Sequence, residues 1–287
     1  LSDQLDSTII HTKNSLGFRG DEPPSDFDSA STIITIGGST TESFYISDNK
    51  TWSDVLADGL AESFENTWVN NAGLDGHSTY GHLVLMDDYI TQMQPDLAVF
   101  LLGANDRRRR GLTPFEEEQI KSGLSSASIK EFTKSLVPYS EVASLAGTIY
   151  RSNRARLQGL THVSYDLAGV ERVPLEASGW PELEAEHREL FLPGYERRLM
   201  ELIDLSRKNG IEPVFITQPA LYGDATDDRT GVDLRTVPVT GYSGQRAWDV
   251  LELYNQVARS VGEREGVFVI DLAMELDKSS RYFYDLI

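Results

Sequence analysis

Ser39, Gly73 and Asn105 are the residues whose types and settings could carry chemistry in this chain. Ser39 closes the run Thr32-Ile33-Ile34-Thr35-Ile36-Gly37-Gly38-Ser39, a β-branched stretch suited to a strand covered on both faces. Its two glycines allow a tight turn and bring backbone close to a ligand. A serine at the C-terminal end of such a strand is a candidate nucleophile; Ser is also an ordinary helix N-cap, which would carry no chemistry. Gly73 and Asn105 stand in the same relation to two other apolar runs, and turns after parallel strands share one end of the sheet. Acyl transfer needs such a set. A serine oxygen attacks a carbonyl, and backbone N–H groups with a neutral side-chain amide, a role that suits Asn105, stabilise the oxyanion.

The elements that must position these residues follow from periodicity and turn signals. Strands are expected over the run from Thr32 that ends near Gly38, and at Thr67–Asn70, Leu97–Leu102, Pro213–Pro219 and Gly266–Asp271. Helices are expected at Trp52–Phe64, where Trp52, Val55, Leu56, Leu60 and Phe64 recur at helical spacing, and at Thr79–Met93, closed by Pro95. Two more are expected at Glu196–Lys208, with Asn209-Gly210 as its stop, and at Ala247–Val261. The alternation lapses over Arg107–Pro193. That length is uncommon for a structureless loop, so it reads as a helical insertion or lid over the strand ends, with helical pieces at Pro114–Ser122 and Ser140–Arg156. Residues 1–27 are polar, carry Pro23-Pro24 and read as an arm with Phe18 tucked onto the core. No repeat or linker divides the chain, so residues 1–287 form one α/β domain with a five-stranded parallel sheet.

Composition narrows the partners. Against 26 basic residues stand 45 acidic ones in 287, a net charge of −19 that repels phosphate backbones and anionic lipid, so nucleic acid is excluded as a partner. No apolar run has the length of a membrane span, and with no cysteine there is neither a disulfide framework nor a thiolate metal site. Asp224, Asp227 and Asp228 miss the EF-hand spacing, and Arg235 stands where its glutamate belongs, so no metal is expected there. Arg107 to Arg110 is a solvated basic run or, through Arg107, a clamp for a carboxylate or sulfate on a substrate.

Gly37-Gly38-Ser39, Asn71-Ala72-Gly73 and Gly103-Ala104-Asn105-Asp106 resemble the serine, glycine and asparagine blocks of the SGNH (GDSL-like) hydrolases. Asp285 resembles the start of that family's terminal Asp-x-x-His block. Asn14 to Gly20 looks like an arm preceding the core in some bacterial members. The resemblance implies a flavodoxin-like three-layer α/β/α sandwich and serine esterase or acyltransferase chemistry without metal or other cofactor. It implies an oxyanion hole from the Ser39 and Gly73 N–H groups and the Asn105 amide, with Ser39 and Asp285 as catalytic residues. Two departures accompany it. Gly38 stands where the named motif has Asp, and the Asp-x-x-His pattern places its histidine one position after Ile287. The general base is therefore expected outside this sequence, whose C-terminal end reads as truncated. Leu1 in place of Met likewise suggests a processed product, and with the arm points to an extracytoplasmic location. His77 and His82 follow the glycine block and are alternatives for the base or ordinary helix-start histidines; His11, His162 and His187 have no supporting context.

Competing frames fit less well. An α/β-hydrolase elbow wants Gly-x-Ser-x-Gly, and position 41 is Thr; a dinucleotide fingerprint lacks its later glycines. The expected function is hydrolysis of a short acyl ester, with an O-acetylated carbohydrate favoured among small-molecule and carbohydrate esters. A polysaccharide O-acyltransferase and a catalytically silent glycan-binding or scaffolding protein of the same fold are the alternatives.

Overall fold

The structure, a computed structural model, describes residues 5–123 and 165–287, without the side chains of 121–123. Five parallel strands form its centre: β1 (Ser31–Ile36), β2 (Thr67–Asn71), β3 (Leu97–Leu102), β4 (Glu212–Thr217) and β7 (Phe268–Ile270). Their order is β2-β1-β3-β4-β7, the flavodoxin-like arrangement in which the chain reverses direction across the sheet after β2. A two-stranded antiparallel pair, β5 (Pro238–Val239) and β6 (Tyr242–Ser243), lies apart from it and was not expected from the sequence.

Alternate residues of the central strands feed two cores, as the two-residue period of a strand dictates. Ile33, Val99, Leu101, Val214 and Ile216 pack under Trp52 and Leu60 of α2 (Trp52–Ala61) and Leu272 of α9 (Leu272–Glu275). Ile34, Ile36, Ala98, Phe100 and Phe215 pack on the opposite face. There they meet α3 (Thr79–Leu85), α7 (Leu192–Lys208) and α8 (Gly244–Glu265). The result is a three-layer α/β/α sandwich. Among the described residues, no helix is long and apolar enough to cross a membrane.

Differences from expectation have local causes. Helix α2 packs on the sheet through a narrow stripe, Trp52 and Leu60, that leaves Val55 exposed at 64%, and it stops at Ala61, ahead of Phe64, exposed at 57%. The Thr79–Met93 helix contains a π turn at Met86–Ile90 before α4 (Thr91–Met93). The wider turn lets Met86, Tyr89, Ile90 and Met93 all face the core. Helix α7 begins at Leu192 rather than Glu196, with Pro193 in its first turn, where a missing N–H costs nothing.

The segment expected to be an insertion divides in two. Helix α5 (Pro114–Gly123) matches the expected piece, whereas Ser140–Arg156 lies outside the described residues. Helix α6 (Trp180–Leu190) belongs to the core layer instead: Leu183 and His187 are buried, and the His187 Nδ1 lies 3.0 Å from the Tyr254 hydroxyl. The N-terminal arm is equally integral. Leu16 and Phe18 are buried in the main core, and Arg19 and Asn71 exchange backbone hydrogen bonds of 2.9 and 2.8 Å.

Candidate active site

Ser39 opens a four-residue helix, α1 (Ser39–Glu42), directly beyond β1. Gly38 accepts from the N–H groups of Thr41 (3.0 Å) and Glu42 (2.9 Å), so the turn is already helical where the serine stands. The glycines are required for space. A Cβ on Gly37 would lie 2.0 Å from the Thr41 hydroxyl, and one on Gly38 would lie 2.4 Å from the Asn105 Nδ2 and 3.1 Å from the His77 carbonyl. An aspartate at position 38 would collide with Asn105, which accounts physically for the departure from the Gly-Asp-Ser pattern. Among the described residues the Ser39 hydroxyl has no hydrogen-bond partner, and the N–H groups of Ser39 and Thr40 have no acceptor.

The far end of α1 is held by the arm. The Arg19 guanidinium donates to the carbonyls of Glu42 (2.8 Å), Ser43 (2.7 Å) and Ile46 (2.8 Å) and pairs with Asp48 at 2.8 Å. These carbonyls are the acceptors a helix C-terminus leaves unmatched.

Asn105 comes from the turn after β3, which Gly103 makes with φ 104°. Its side-chain Nδ2 donates to the His77 carbonyl at 3.0 Å, so Asn105 sits between the β2 loop and Gly38 with a second amide proton to offer. Asp106, buried beside Arg198 at 3.2 Å, accepts from the Thr79 N–H and hydroxyl at the start of α3. Burial pushes the Asp106 carboxyl up, against the opposing influence of Thr79 and Arg198.

Gly73 lies elsewhere in the arrangement than the sequence suggested. Its N–H donates to the Asn71 Oδ1 at 2.8 Å, and a Cβ on it would be 2.3 Å from the Glu42 nitrogen. It is a close-approach glycine under α1, with its donor committed to Asn71. Three residues on, Gly76 adopts φ 72°, and its N–H has no acceptor among the described residues. The Gly73–Gly76 loop was visible in the sequence; which of its glycines keeps a free donor was not, because that depends on the Asn71 rotamer.

The C-terminal segment returns to this end of the sheet. Leu221 donates to the Leu286 carbonyl at 3.0 Å, and Phe283 is buried. Asp227 anchors the segment by accepting from the Ser280 N–H (2.7 Å) and hydroxyl (3.0 Å) and from the Thr230 N–H (2.9 Å). Its carboxyl is lowered overall: burial raises it, but these hydrogen bonds together outweigh burial. Tyr284 faces Glu42 of α1 and Asp75, and burial, reinforced by Asp285 and these carboxylates, pushes its phenol up. Asp285 accepts from the Ile287 N–H at 3.1 Å and lies close enough to Tyr222 to oppose its ionisation. Arg107 approaches the same tyrosine, its Nη1 3.4 Å from the hydroxyl, while its Nε donates to the Ala104 carbonyl at 3.0 Å. It forms no ion pair among the described residues.

None of the described histidines is hydrogen-bonded to Ser39. His77 and His82 are buried, their ring centroids are 6.5 Å apart, and no ring nitrogen of either finds a hydrogen-bond partner among the described residues, although His82 lies beside the Gly37 backbone. Burial pulls His77 down to about 4 and His82 to about 3, so both are neutral near pH 7. His187 is bonded to Tyr254, His11 packs against Phe44, and His162 lies outside the described residues.

Comparison with known proteins gives the site its context. The model of the GDSL-like lipase/acylhydrolase family matches residues 35–287. An arylesterase of Vibrio mimicus is 31% identical over 93 residues, 32% of this chain, and the match spans 44% of that relative, under half its length. Three solved structures are similar with low identity. The enzyme LAE5 from the Lake Arreo metagenome is 14% identical at TM-score 0.42, with 85% of this chain and 78% of that one covered. The esterase EstA of Pseudoalteromonas sp. is 11% identical at TM-score 0.42, covering 84% and 76%. The acetylxylan esterase Axe2 of Geobacillus stearothermophilus is 14% identical at TM-score 0.41, covering 84% and 76%. With a family model spanning all five strands from within β1 to Ile287, the chain belongs to the GDSL-like lipase/acylhydrolase family.

Proposed function

We propose that this chain is a serine-dependent ester hydrolase that acts on a short acyl ester through an acyl-enzyme, with an O-acetylated carbohydrate as the favoured substrate. The observation that carries the proposal is the setting of Ser39, a hydroxyl with no partner among the described residues at the start of α1, beside an asparagine amide held against Gly38. In this mechanism the Ser39 oxygen attacks the ester carbonyl, and the negative charge that develops on the carbonyl oxygen is met by the Asn105 amide and the uncommitted N–H groups of Ser39 and Gly76. The alcohol leaves, and water then releases the acyl group from Ser39. The proton acceptor in this scheme is the imidazole that the Asp-x-x-His pattern places after Ile287, with Asp285 accepting from its distal nitrogen and fixing its tautomer. Arg107, half-buried and without an acidic partner among the described residues, is the proposed contact for a carboxylate or sulfate on the substrate.

The test is hydrolysis of 4-nitrophenyl acetate and of acetylated xylo-oligosaccharides by the full natural chain, with mass spectrometry to locate the acyl group. Acetylation of Ser39 during turnover is the expected result; turnover with acylation elsewhere would exclude this mechanism. Binding of the acetylated oligosaccharide with no turnover would favour the silent glycan-binding alternative. Asn105→Ala is expected to lower kcat about 10²- to 10³-fold, the usual effect of losing one oxyanion donor, with little change in KM. An equal rise in KM at constant kcat would assign Asn105 to ground-state binding instead.

A further inference from the structure

We infer that Arg109, rather than the neighbouring arginines, is a positioning residue that fixes the distance between the two loops flanking Ser39. The inference rests on the proposed hydrolase site. The Arg109 side chain reaches both loops: its Nε donates to the Asn105 carbonyl at 3.0 Å and its Nη2 to the Gly76 carbonyl at 3.4 Å. Its Nη1 is 3.8 Å from Glu116, a fully buried carboxylate in the first turn of α5. Glu116 in turn accepts from the Ser78 N–H (2.8 Å) and hydroxyl (2.5 Å) with one oxygen and from Thr113 with the other. Asn105 closes the circuit through its amide bond to the His77 carbonyl.

The contacts form a ring: Asn105, Arg109, Glu116, Ser78, His77 and back to Asn105. Three consecutive residues of the β2 loop, Gly76 to Ser78, are each gripped by one member of it. Gly38 packs against the two points where the ring meets the nucleophile turn, the Asn105 amide and the His77 carbonyl. A shift of either loop therefore moves the oxyanion donors relative to Ser39, and displacement of about 1 Å at such a site costs roughly a hundredfold in rate. The other three arginines of the run are tied elsewhere: Arg107 to Ala104 and Tyr222, Arg108 to Glu186, and Arg110 over the Phe191 ring. Glu116 lowers its own carboxyl pKa by the same hydrogen bonds, which together outweigh the raising effect of burial, so the ring keeps its charge pair at neutral pH.

Arg109 is 29% exposed, so it can be replaced without opening the core. The experiment measures kcat, KM and thermal midpoint for Arg109→Ala, Arg109→Lys and Ser39→Ala in the full natural chain on 4-nitrophenyl acetate, with and without millimolar guanidinium. Arg109→Ala should lose about 10- to 100-fold in kcat with KM within about twofold, and added guanidinium should restore part of it. Arg109→Lys should fall between, because one ammonium cannot span two carbonyls and a carboxylate in a fixed fork. Undiminished kcat in Arg109→Ala, or a loss that guanidinium leaves untouched and that matches the fraction unfolded, overturns the inference. Full activity in Ser39→Ala overturns the proposed site itself, whatever Arg109 does.

Discussion

Ser39→Ala is expected to lower kcat on short acyl esters by about 10⁴-fold or more, with the fold and the thermal midpoint nearly unchanged. The loss is large because a nucleophile acts as a unit with its base, and removal of either leaves only the contribution of the oxyanion donors and binding. The fold should tolerate the change, since among the described residues the Ser39 hydroxyl makes no hydrogen bond and α1 is held at its other end by Arg19. Steady-state kinetics of the purified variant beside the wild-type full natural chain gives the answer. Ser39→Ala activity within tenfold of wild type would remove Ser39 from the mechanism.

What the sequence disclosed about this site and what it concealed follow one physical division. The three central strands were legible because their runs are buried on both faces, and Leu97–Leu102 emerged with the boundaries expected of it. Ser39 and Asn105 were legible as residues that directly follow strands, and topology brings such positions to one end of a parallel sheet. Contacts among side chains were hidden. Nothing in four adjacent arginines distinguishes Arg109, and nothing in Asn71-Ala72-Gly73 announces that Asn71 takes up the Gly73 donor. Glu116 did leave a trace. Thr113-Pro-Phe-Glu116 has the spacing of a capping box, and the structure shows its reciprocal bonds at 2.8 and 3.2 Å. That pattern marks a helix start; that the same carboxylate also holds Ser78 depends on tertiary packing.

Lowering the pH from 6.5 to 5 should destabilise the protein by several kcal/mol, ahead of most carboxylate protonation. His77 and His82 carry most of the effect. An unfolded histidine takes up a proton near 6.5, whereas the buried rings do so only near 4 and 3. Over that interval the unfolded state binds protons that the folded state refuses. Stability is therefore complete above 6.5 and falls with pH until the folded-state values are reached, with a slope of about 1.4 kcal/mol per pH unit for each ring. His187, also lowered mainly by burial, adds in the same direction. The groups facing the pair sharpen the effect only in part: Glu116 and Glu42 favour a charged His77, Arg109 disfavours it, and desolvation dominates all three. Urea midpoints at pH 7.0, 6.0 and 5.0 for the wild type and for His77→Gln/His82→Phe test this. The double variant should show a much flatter dependence between 6.5 and 5, and an undiminished slope would place the proton uptake elsewhere. Because His82 lies beside Gly37 and the His77 carbonyl holds Asn105, acid should disturb the nucleophile turn along with global stability.

The backbone exchange between Arg19 and Asn71 has a bearing on how the molecule stays apart from its own copies. β2 is an outermost strand, and its free side would otherwise present unpaired N–H and C=O groups to any passing chain. The arm lies antiparallel across the end of that strand at Asn71, and Gly20, with φ 122°, passes so close that a Cβ would sit 2.8 Å from the Asn70 amide. The opposite border is guarded differently, by a strand of three residues too short to template another. The arm is thus a built-in gatekeeper against aggregation. A proteolytic cut ahead of β1 would unmask the sheet border while stripping Leu16 and Phe18 from the interior, turning the domain into a template for intermolecular β-pairing.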